Sequence, residues 1–173
     1  MTQLFSHLRV SSEYSISQGL LTVDQIVDNA IRNSVPSVAL TDKSNMFGLV
    51  KFFNKCELAG IKPISGSSIR LIFDDDETSY ELLCLAKTNN GHKNLMKIIS
   101  NAHNNNSFNS PIIRFNDLIE LKDDIIVISG GKDSHIFEYL KSNNISDASE
   151  RIDDFRNSFG DNFVLDVQLT NRI

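Results

Sequence analysis

The stretch VDQIVDNAIRNSVPSVALTDKSN, Val23 to Asn45, contains a complete helix-to-strand unit and decides the class of fold. Thr22 stands before it as a helix N-cap, and Pro36 stops the helix before the buried strand Ser37–Thr41. A helix followed by a short apolar strand is the building unit of α/β folds. The apolar side chains of the helix recur at helical spacing on one face: Val23, Ile26, Val27, Ala30 and Ile31.

The same alternation continues along the chain and predicts roughly six βα-like repeats around a largely parallel sheet. The predicted strands are 4–10, 37–41, 61–73 with a break near Gly66, 80–87, 125–131 and 162–169. The predicted helices are 23–33, 49–59 closed by Gly60, 90–101, 115–122, 135–143 and 145–159. The acidic run 74–77 is predicted as a hairpin turn before the strand 80–87, and 103–111 as a polar loop.

The chain has 173 residues, 40% of them hydrophobic and 23% charged, which predicts one soluble globular domain over residues 1–173. Its formal net charge of -5 argues against a chain that neutralises phosphates as a whole, although net charge says nothing about a local basic patch. Cys56 and Cys84 stand in apolar contexts and are predicted as buried thiols, which fits a reducing cytoplasm. We see no signal peptide and no run of ~18 apolar residues that would span a membrane.

Polar residues follow several predicted strands, where α/β folds place their functional groups. These residues offer few metal ligands, because Asp42 stands beside the fixed positive charges of Arg9 and Lys43. At an effective dielectric of about 20 and a distance of ~4 Å, each cation would repel a divalent ion by several kcal/mol. The polar strand ends, in chain order, are Arg9 and Ser11, Asp42 and Lys43, Ser67 and Ser68, and Ser129 to Gly131.

Other catalytic patterns are incomplete. SGGK, Ser129–Lys132, lacks the spacing of a phosphate loop, so a plain strand-to-helix turn is favoured there. No GxSxG nucleophile elbow occurs. His92 and His103 are predicted as solvated polar residues, and His135 as a residue at the start of a helix.

Five phrases, in this order and spacing, resemble the N-terminal PHP (polymerase and histidinol phosphatase) domain of bacterial DNA polymerase III alpha subunits. They are HLRVSSEYS (7–15), ALTDKSNMFGLVKFF (39–53), AGIKPISG (59–66), LLCLAKTNNGHKNL (82–95) and IIVISGG (125–131). The resemblance runs from about Phe5 to Gln168. It implies a distorted, seven-stranded, TIM-like βα barrel that is truncated here at its C-terminal side, as the front part of a longer polymerase chain.

The metal-binding motifs of this family are degenerate here. His7, Asp42 and Asn45 match the family pattern, but the remaining motif positions carry no family ligand. The positions where the family places metal ligands correspond here to Arg9, Ser11, Gln18, Lys43, Ser68, Glu81 and Gly131. We therefore expect no metal, no cofactor and no catalytic residue in this segment. As a hypothesis, Arg9 and Lys43 fill the vacated space and pair with Glu81 and Asp42.

This pattern is similar to degenerate PHP domains of gamma-proteobacterial alpha subunits. It implies a non-catalytic scaffold that docks the proofreading exonuclease subunit of the holoenzyme. The parent chain would be a magnesium-dependent, DNA-directed DNA polymerase in the cytoplasm, contacting DNA through its other parts. One alternative is a metal-dependent PHP phosphoesterase or nuclease, and another is a free-standing binding module, which would require a stop codon after Ile173.

Overall fold

The computed structural model describes residues 5–16, 18–74, 78–104 and 110–167. Six strands and intervening helices form a mixed α/β architecture in these ranges, which confirms the predicted class. The chain divides into two compact units, residues 1–68 and 69–173, called here the first and the second unit. Parts of four predicted segments lie outside the described residues: 4–10, 74–77, 103–111 and 162–169.

The first unit is built on α1 (Val23–Arg32), β1 (Ser37–Leu40), α2 (Leu49–Leu58) and the start of β2 (Lys62–Ile72). β1 and β2 pair in parallel, from Ser37 opposite Lys62 to Leu40 opposite Ser65. The apolar faces of both helices pack on this pair. The predicted alternation of helix and strand is therefore confirmed in this unit.

Local sequence signals account for the ends of the two helices. The Thr22 hydroxyl accepts a hydrogen bond from Gln25 N at 3.2 Å, and Thr22 N donates to Gln25 Oε1 at 2.9 Å, so the predicted N-cap is a full capping box. At the end of α2, Gly60 has a φ of +68°, a left-handed conformation that glycine adopts at low cost.

Two predicted strands differ from the structure. β2 runs without a break through the buried Gly66, because pairing with neighbouring strands outweighs the weak strand propensity of glycine. Within the described residues 5–10, the predicted strand lies along β1 but forms only an isolated bridge, from His7 to Val38. Val10 N donates to the Thr41 hydroxyl at 2.8 Å instead of to a main-chain carbonyl, which interrupts the regular ladder.

The second unit contains the end of β2 and the remaining elements. Its strands are β3 (Ser79–Ala86), β4 (Ile113–Arg114), β5 (Ile125–Ser129) and β6 (Phe163–Val164). Its helices are α3 (Asn89–Asn104), α4 (Phe115–Glu120), α5 (His135–Lys141) and α6 (Ile145–Phe159). The strand order in this unit is β2-β3-β5-β6, with β4 on β2.

The strand directions in the second unit are mixed, so the prediction of a largely parallel sheet is wrong there. β3 and β5 are antiparallel, from Leu82 opposite Ser129 to Ala86 opposite Ile125, whereas β4 runs parallel to β2 and β6 parallel to β5. β3 and β5 are not joined by the single helical crossover that parallel neighbours use, because α3, β4 and α4 all lie between them in the chain.

His135 begins α5 as predicted, but its side chain is 3% exposed and lies in an aromatic cluster. Its ring stacks on Tyr80, with centroids 4.1 Å apart, and contacts Tyr139 at 4.4 Å. The guanidinium of Arg151 lies 3.9 Å from the centroid of Phe73, which also contacts His135. Cation–π and ring contacts therefore attach α5 and α6 to the strands of this unit.

Cys56 and Cys84 are both buried free thiols, as predicted. None of the helices within the described ranges combines the length and the apolar character that a membrane crossing needs.

Candidate functional site

Asp42 is the centre of the polar strand ends in the first unit. It follows β1 directly and is 1% exposed. Its Oδ1 accepts hydrogen bonds from Ser12 N at 2.7 Å and from the Ser15 hydroxyl at 2.6 Å, and its Oδ2 accepts one from the Ser12 hydroxyl at 2.7 Å. We call Asp42, Ser12 and Ser15 the Asp42 cluster. Three short bonds to an ionised acceptor offset the cost of burying its charge.

The backbone around Asp42 ties the ends of β1 and β2 together. The Asp42 carbonyl accepts from the Ser67 hydroxyl at 2.7 Å and from Ser68 N at 3.2 Å. Ser44 N donates to the Ser68 carbonyl at 2.7 Å, and Lys43 forms an isolated parallel bridge with Ser68. Two of the predicted sets of strand-end residues, Asp42 with Lys43 and Ser67 with Ser68, are therefore in direct contact.

Asn45 is buried and joins the same turn to the loop that carries Ser12 and Ser15. Its Nδ2 donates to the Tyr14 carbonyl at 3.0 Å and to the Lys43 carbonyl at 2.9 Å, while its Oδ1 accepts from Phe47 N at 3.2 Å. Both polar atoms of the side-chain amide thus serve local structure through three hydrogen bonds. This motif residue has a structural role that needs no metal.

The other predicted positions of the first unit are more open. His7 is exposed and its ring lies edge-on to Phe5, with centroids 4.8 Å apart. Gln18 is also exposed, whereas Arg9 and Ser11 are half-buried. Of the hydroxyls in the first polar segment, Ser12 and Ser15 rather than Ser11 contact Asp42.

Among the described residues, Asp42 pairs with neither Arg9 nor Lys43, so this part of the hypothesis is wrong, whereas the part that concerns Glu81 stays a prediction. In the part of the chain that the structure describes, the Asp42 carboxylate is bonded only by the Ser12 amide and by the hydroxyls of Ser12 and Ser15. Neutral donors reach the carboxylate from within one loop, which avoids the entropy cost of ordering a long cationic side chain. Sequence reasoning missed Ser12 and Ser15, although two serines five and eight residues after His7 in a polar loop were a usable signal.

Glu81 and Gly131 lie in the second unit. Glu81 is half-buried near the start of β3, and Gly131 opens a 3₁₀ turn after β5 with a φ of +59°. A side chain at that φ costs about 1–2 kcal/mol. The backbone at 131 therefore favours glycine over the cysteine or histidine ligand of the family.

Comparison with known proteins identifies the family. A sequence model described as the PHP domain matches residues 7–170. The chain belongs to the PHP domain family. It is similar to DNA polymerase III alpha subunits: it is 35% identical over 171 residues to that of Vibrio cholerae and 36% identical over 171 residues to that of Escherichia coli K12. Each alignment covers 97% of this chain but 15% of the relative, so this PHP domain spans a small part of the length of those proteins.

Solved structures with a related fold have lower similarity. A protein described as a metal-dependent phosphoesterase from Bifidobacterium adolescentis aligns over 90% of this chain and 55% of its own, with a TM-score of 0.46 and 16% identity. An amidohydrolase from Chromobacterium violaceum aligns over 54% of this chain and 32% of its own, with a TM-score of 0.43 and 21% identity.

PHP domains are generally metal-dependent, but the residues in the first unit do not fit a divalent ion. A carboxylate has about four lone-pair sites, and three of those of Asp42 are taken by donors. Ser68 stands where the resemblance places a glutamate ligand, so a neutral hydroxyl replaces a carboxylate there. This hydroxyl is buried and has no hydrogen-bond partner among the described residues. Across the described ranges, no group of three or more His, Cys, Asp or Glu side chains is arranged to hold a metal.

Proposed function

We propose that this PHP domain is part of a bacterial replicative DNA polymerase III alpha subunit and is a non-catalytic scaffold that docks the proofreading exonuclease subunit. The similarity to alpha subunits over nearly the whole chain supports the parent protein. The observation that carries the non-catalytic part is the Asp42 cluster, in which amide and hydroxyl hydrogens occupy a carboxylate that the family uses at its metal centre.

Replacement of metal by hydrogen bonding has a simple energetic basis. A buried carboxylate without a cation is costly unless donors satisfy it. The Ser12 amide and hydroxyl and the Ser15 hydroxyl supply those donors from one short loop. A divalent ion bound at Asp42 would have to displace these donors. The strand ends are thus held in place without an ion.

The wider assignments rest on the resemblance and on the relatives. The parent chain would extend DNA using magnesium held outside this segment, and would act with other holoenzyme subunits in the bacterial cytoplasm. Asn45 and Asp42 then have structural roles. The other residues at family motif positions are remnants of the metal centre: His7, Arg9, Ser11, Gln18, Lys43, Ser68, Glu81 and Gly131.

Elemental analysis tests the loss of the metal centre. The 173-residue chain is purified without chelator, with zinc and manganese added to the medium, and its metal content is measured by mass spectrometry. We expect far less than one equivalent, and no hydrolysis of a phosphomonoester or phosphodiester substrate with added manganese. Near-stoichiometric metal that disappears in Asp42→Asn would instead support the metal-dependent phosphoesterase.

Co-purification tests the docking role separately. The chain is mixed with the cognate exonuclease subunit and analysed by size-exclusion chromatography, with circular dichroism of the same sample as the check on folding. We expect one co-eluting complex, and none with the exonuclease subunit of a distantly related bacterium. A folded sample that never co-elutes would remove the docking role and leave the metal result unaffected.

A further inference from the structure

A segment around α3 contains no acidic residue. The chain has 22 Asp and Glu among 173 residues, yet none occurs from Lys87 to Arg114. The same segment carries Lys93, Lys97 and a high density of asparagine. Its charge therefore has the opposite sign to that of the whole protein, which is -5.

The fold places these side chains on one exposed face of α3. Its buried side packs Leu95, Ile98 and Ala102 against the second unit. The opposite side is exposed along three turns, because residues three and four apart lie on the same face of a helix. We call these residues the α3 outer face: Lys93, Lys97, Ser100, Asn101 and Asn104.

The two lysines of this face differ from Lys132 and Lys141 in their charged neighbours. Lys132 and Lys141 each lie within 4 Å of a carboxylate, Asp133 and Glu138 respectively. No such ion pair involves Lys93 or Lys97 among the residues that the structure describes. Their charge is thus not neutralised by an acidic neighbour and is available to an external anion.

One acidic group, Asp124, is bonded to the first turn of α3. Asp124 Oδ2 accepts from the Thr88 hydroxyl at 2.8 Å and from Asn90 Nδ2 at 3.3 Å. Beyond this turn, the exposed side chains of the helix are basic, neutral polar or, at Met96, apolar.

We propose that the α3 outer face binds the phosphodiester backbone of a nucleic acid. Ammonium groups supply the charge that phosphates attract, and asparagine amides and serine hydroxyls donate hydrogen bonds to phosphate oxygens. The face carries no aromatic side chain on which bases could stack. The contact is therefore to the backbone and is independent of base sequence. This role depends on neither the Asp42 cluster nor exonuclease docking.

Salt-dependent binding tests the surface. A fluorescein-labelled single-stranded oligonucleotide is titrated with the 173-residue chain and anisotropy is measured between about 50 and 200 mM salt. Removing two phosphate contacts in K93Q/K97Q should lower the slope of log K against log salt by about 1.4 for a single strand. Over that fourfold rise in salt, the affinity of the unchanged chain should therefore fall about sevenfold more than that of K93Q/K97Q.

The matched control is K132Q/K141Q, which removes the same net charge from two exposed lysines that have acidic neighbours. We expect its slope to equal that of the unchanged chain, and circular dichroism to show all three proteins folded. The proposal is overturned if the unchanged chain does not bind, if both variants lose the same slope, or if polyglutamate or anionic lipid vesicles compete as well as the oligonucleotide.

Discussion

Asp42 is a family motif residue whose side chain serves structure in this protein. Its buried carboxylate is bonded to two serines of a neighbouring loop, and its carbonyl is bonded to Ser67 and Ser68 of β2. The residue therefore joins three chain segments at one point. A charged acceptor buried among donors is sensitive to any change that turns it into a donor.

Asp42→Asn should lower the free energy of unfolding by about 1–3 kcal/mol, because one amide NH₂ then faces hydrogen-bond donors and the ionic acceptor is lost. Urea unfolding followed by circular dichroism measures the change. Asp28→Asn on the exposed face of α1 is the control, and we expect less than about 0.5 kcal/mol there. Equal effects at the two positions would contradict a role for the Asp42 cluster in stability.

The pairing of β3 with β5 depends on close contact at one glycine. A Cβ added at Gly130 would lie 1.9 Å from the Glu81 carbonyl oxygen, which real structures do not tolerate. Gly130 follows β5 and allows the end of that strand to approach the start of β3. At Gly60, by contrast, an added Cβ would meet no heavy atom within 4 Å, although φ is +68°.

These two glycines make a matched pair of substitutions. Gly130→Ala should destabilise the protein by about 3 kcal/mol or more, because main-chain atoms of two strands must separate. Gly60→Ala should cost about 1–2 kcal/mol, from backbone conformation alone. Chemical unfolding compares the two variants with the unchanged chain. The steric interpretation is wrong if Gly60→Ala is the more damaging change.

Each of the two units of the molecule contains one buried thiol, Cys56 in the first and Cys84 in the second. Burial raises the pKa of Cys56 to about 11 and that of Cys84 to about 12. In the unfolded chain both thiols ionise near their ordinary pKa of 9.0. The folded state therefore holds protons that the unfolded state loses between about pH 9 and 11.

Stability should fall as pH rises through this window, since the unfolded state binds fewer protons there. The loss approaches about 1.4 kcal/mol per thiol for each pH unit once the unfolded thiol is ionised. Urea unfolding at pH 8, 9 and 10 should show a steeper decline for the unchanged chain than for a Cys56→Ala/Cys84→Ala variant. Parallel declines, or rapid reaction of the native thiols with Ellman's reagent at pH 8, would contradict this expectation.

Prediction from sequence succeeded where the signal was local. The helical period of 23–32, the Thr22 N-cap and the left-handed Gly60 are consequences of neighbouring residues, and each is confirmed. It failed where pairing between distant segments decided the outcome. Gly66 predicted a break in the strand, yet β2 continues through it. The alternating pattern favoured a parallel sheet, yet β3 is antiparallel to β5.

For the candidate site, too, local features were predictable from the sequence and contacts between distant segments were not. The amino-acid sequence alone determined the α/β class, the buried thiols, the similarity to PHP domains and the loss of ligand-type residues at positions such as Lys43 and Ser68. Only the tertiary structure decided which groups meet Asp42, because Ser12 and Ser15 reach it from a loop about thirty residues earlier in the chain. Hydrogen-bond partners of a buried charge are set by chain packing in space, which short-range residue patterns do not encode.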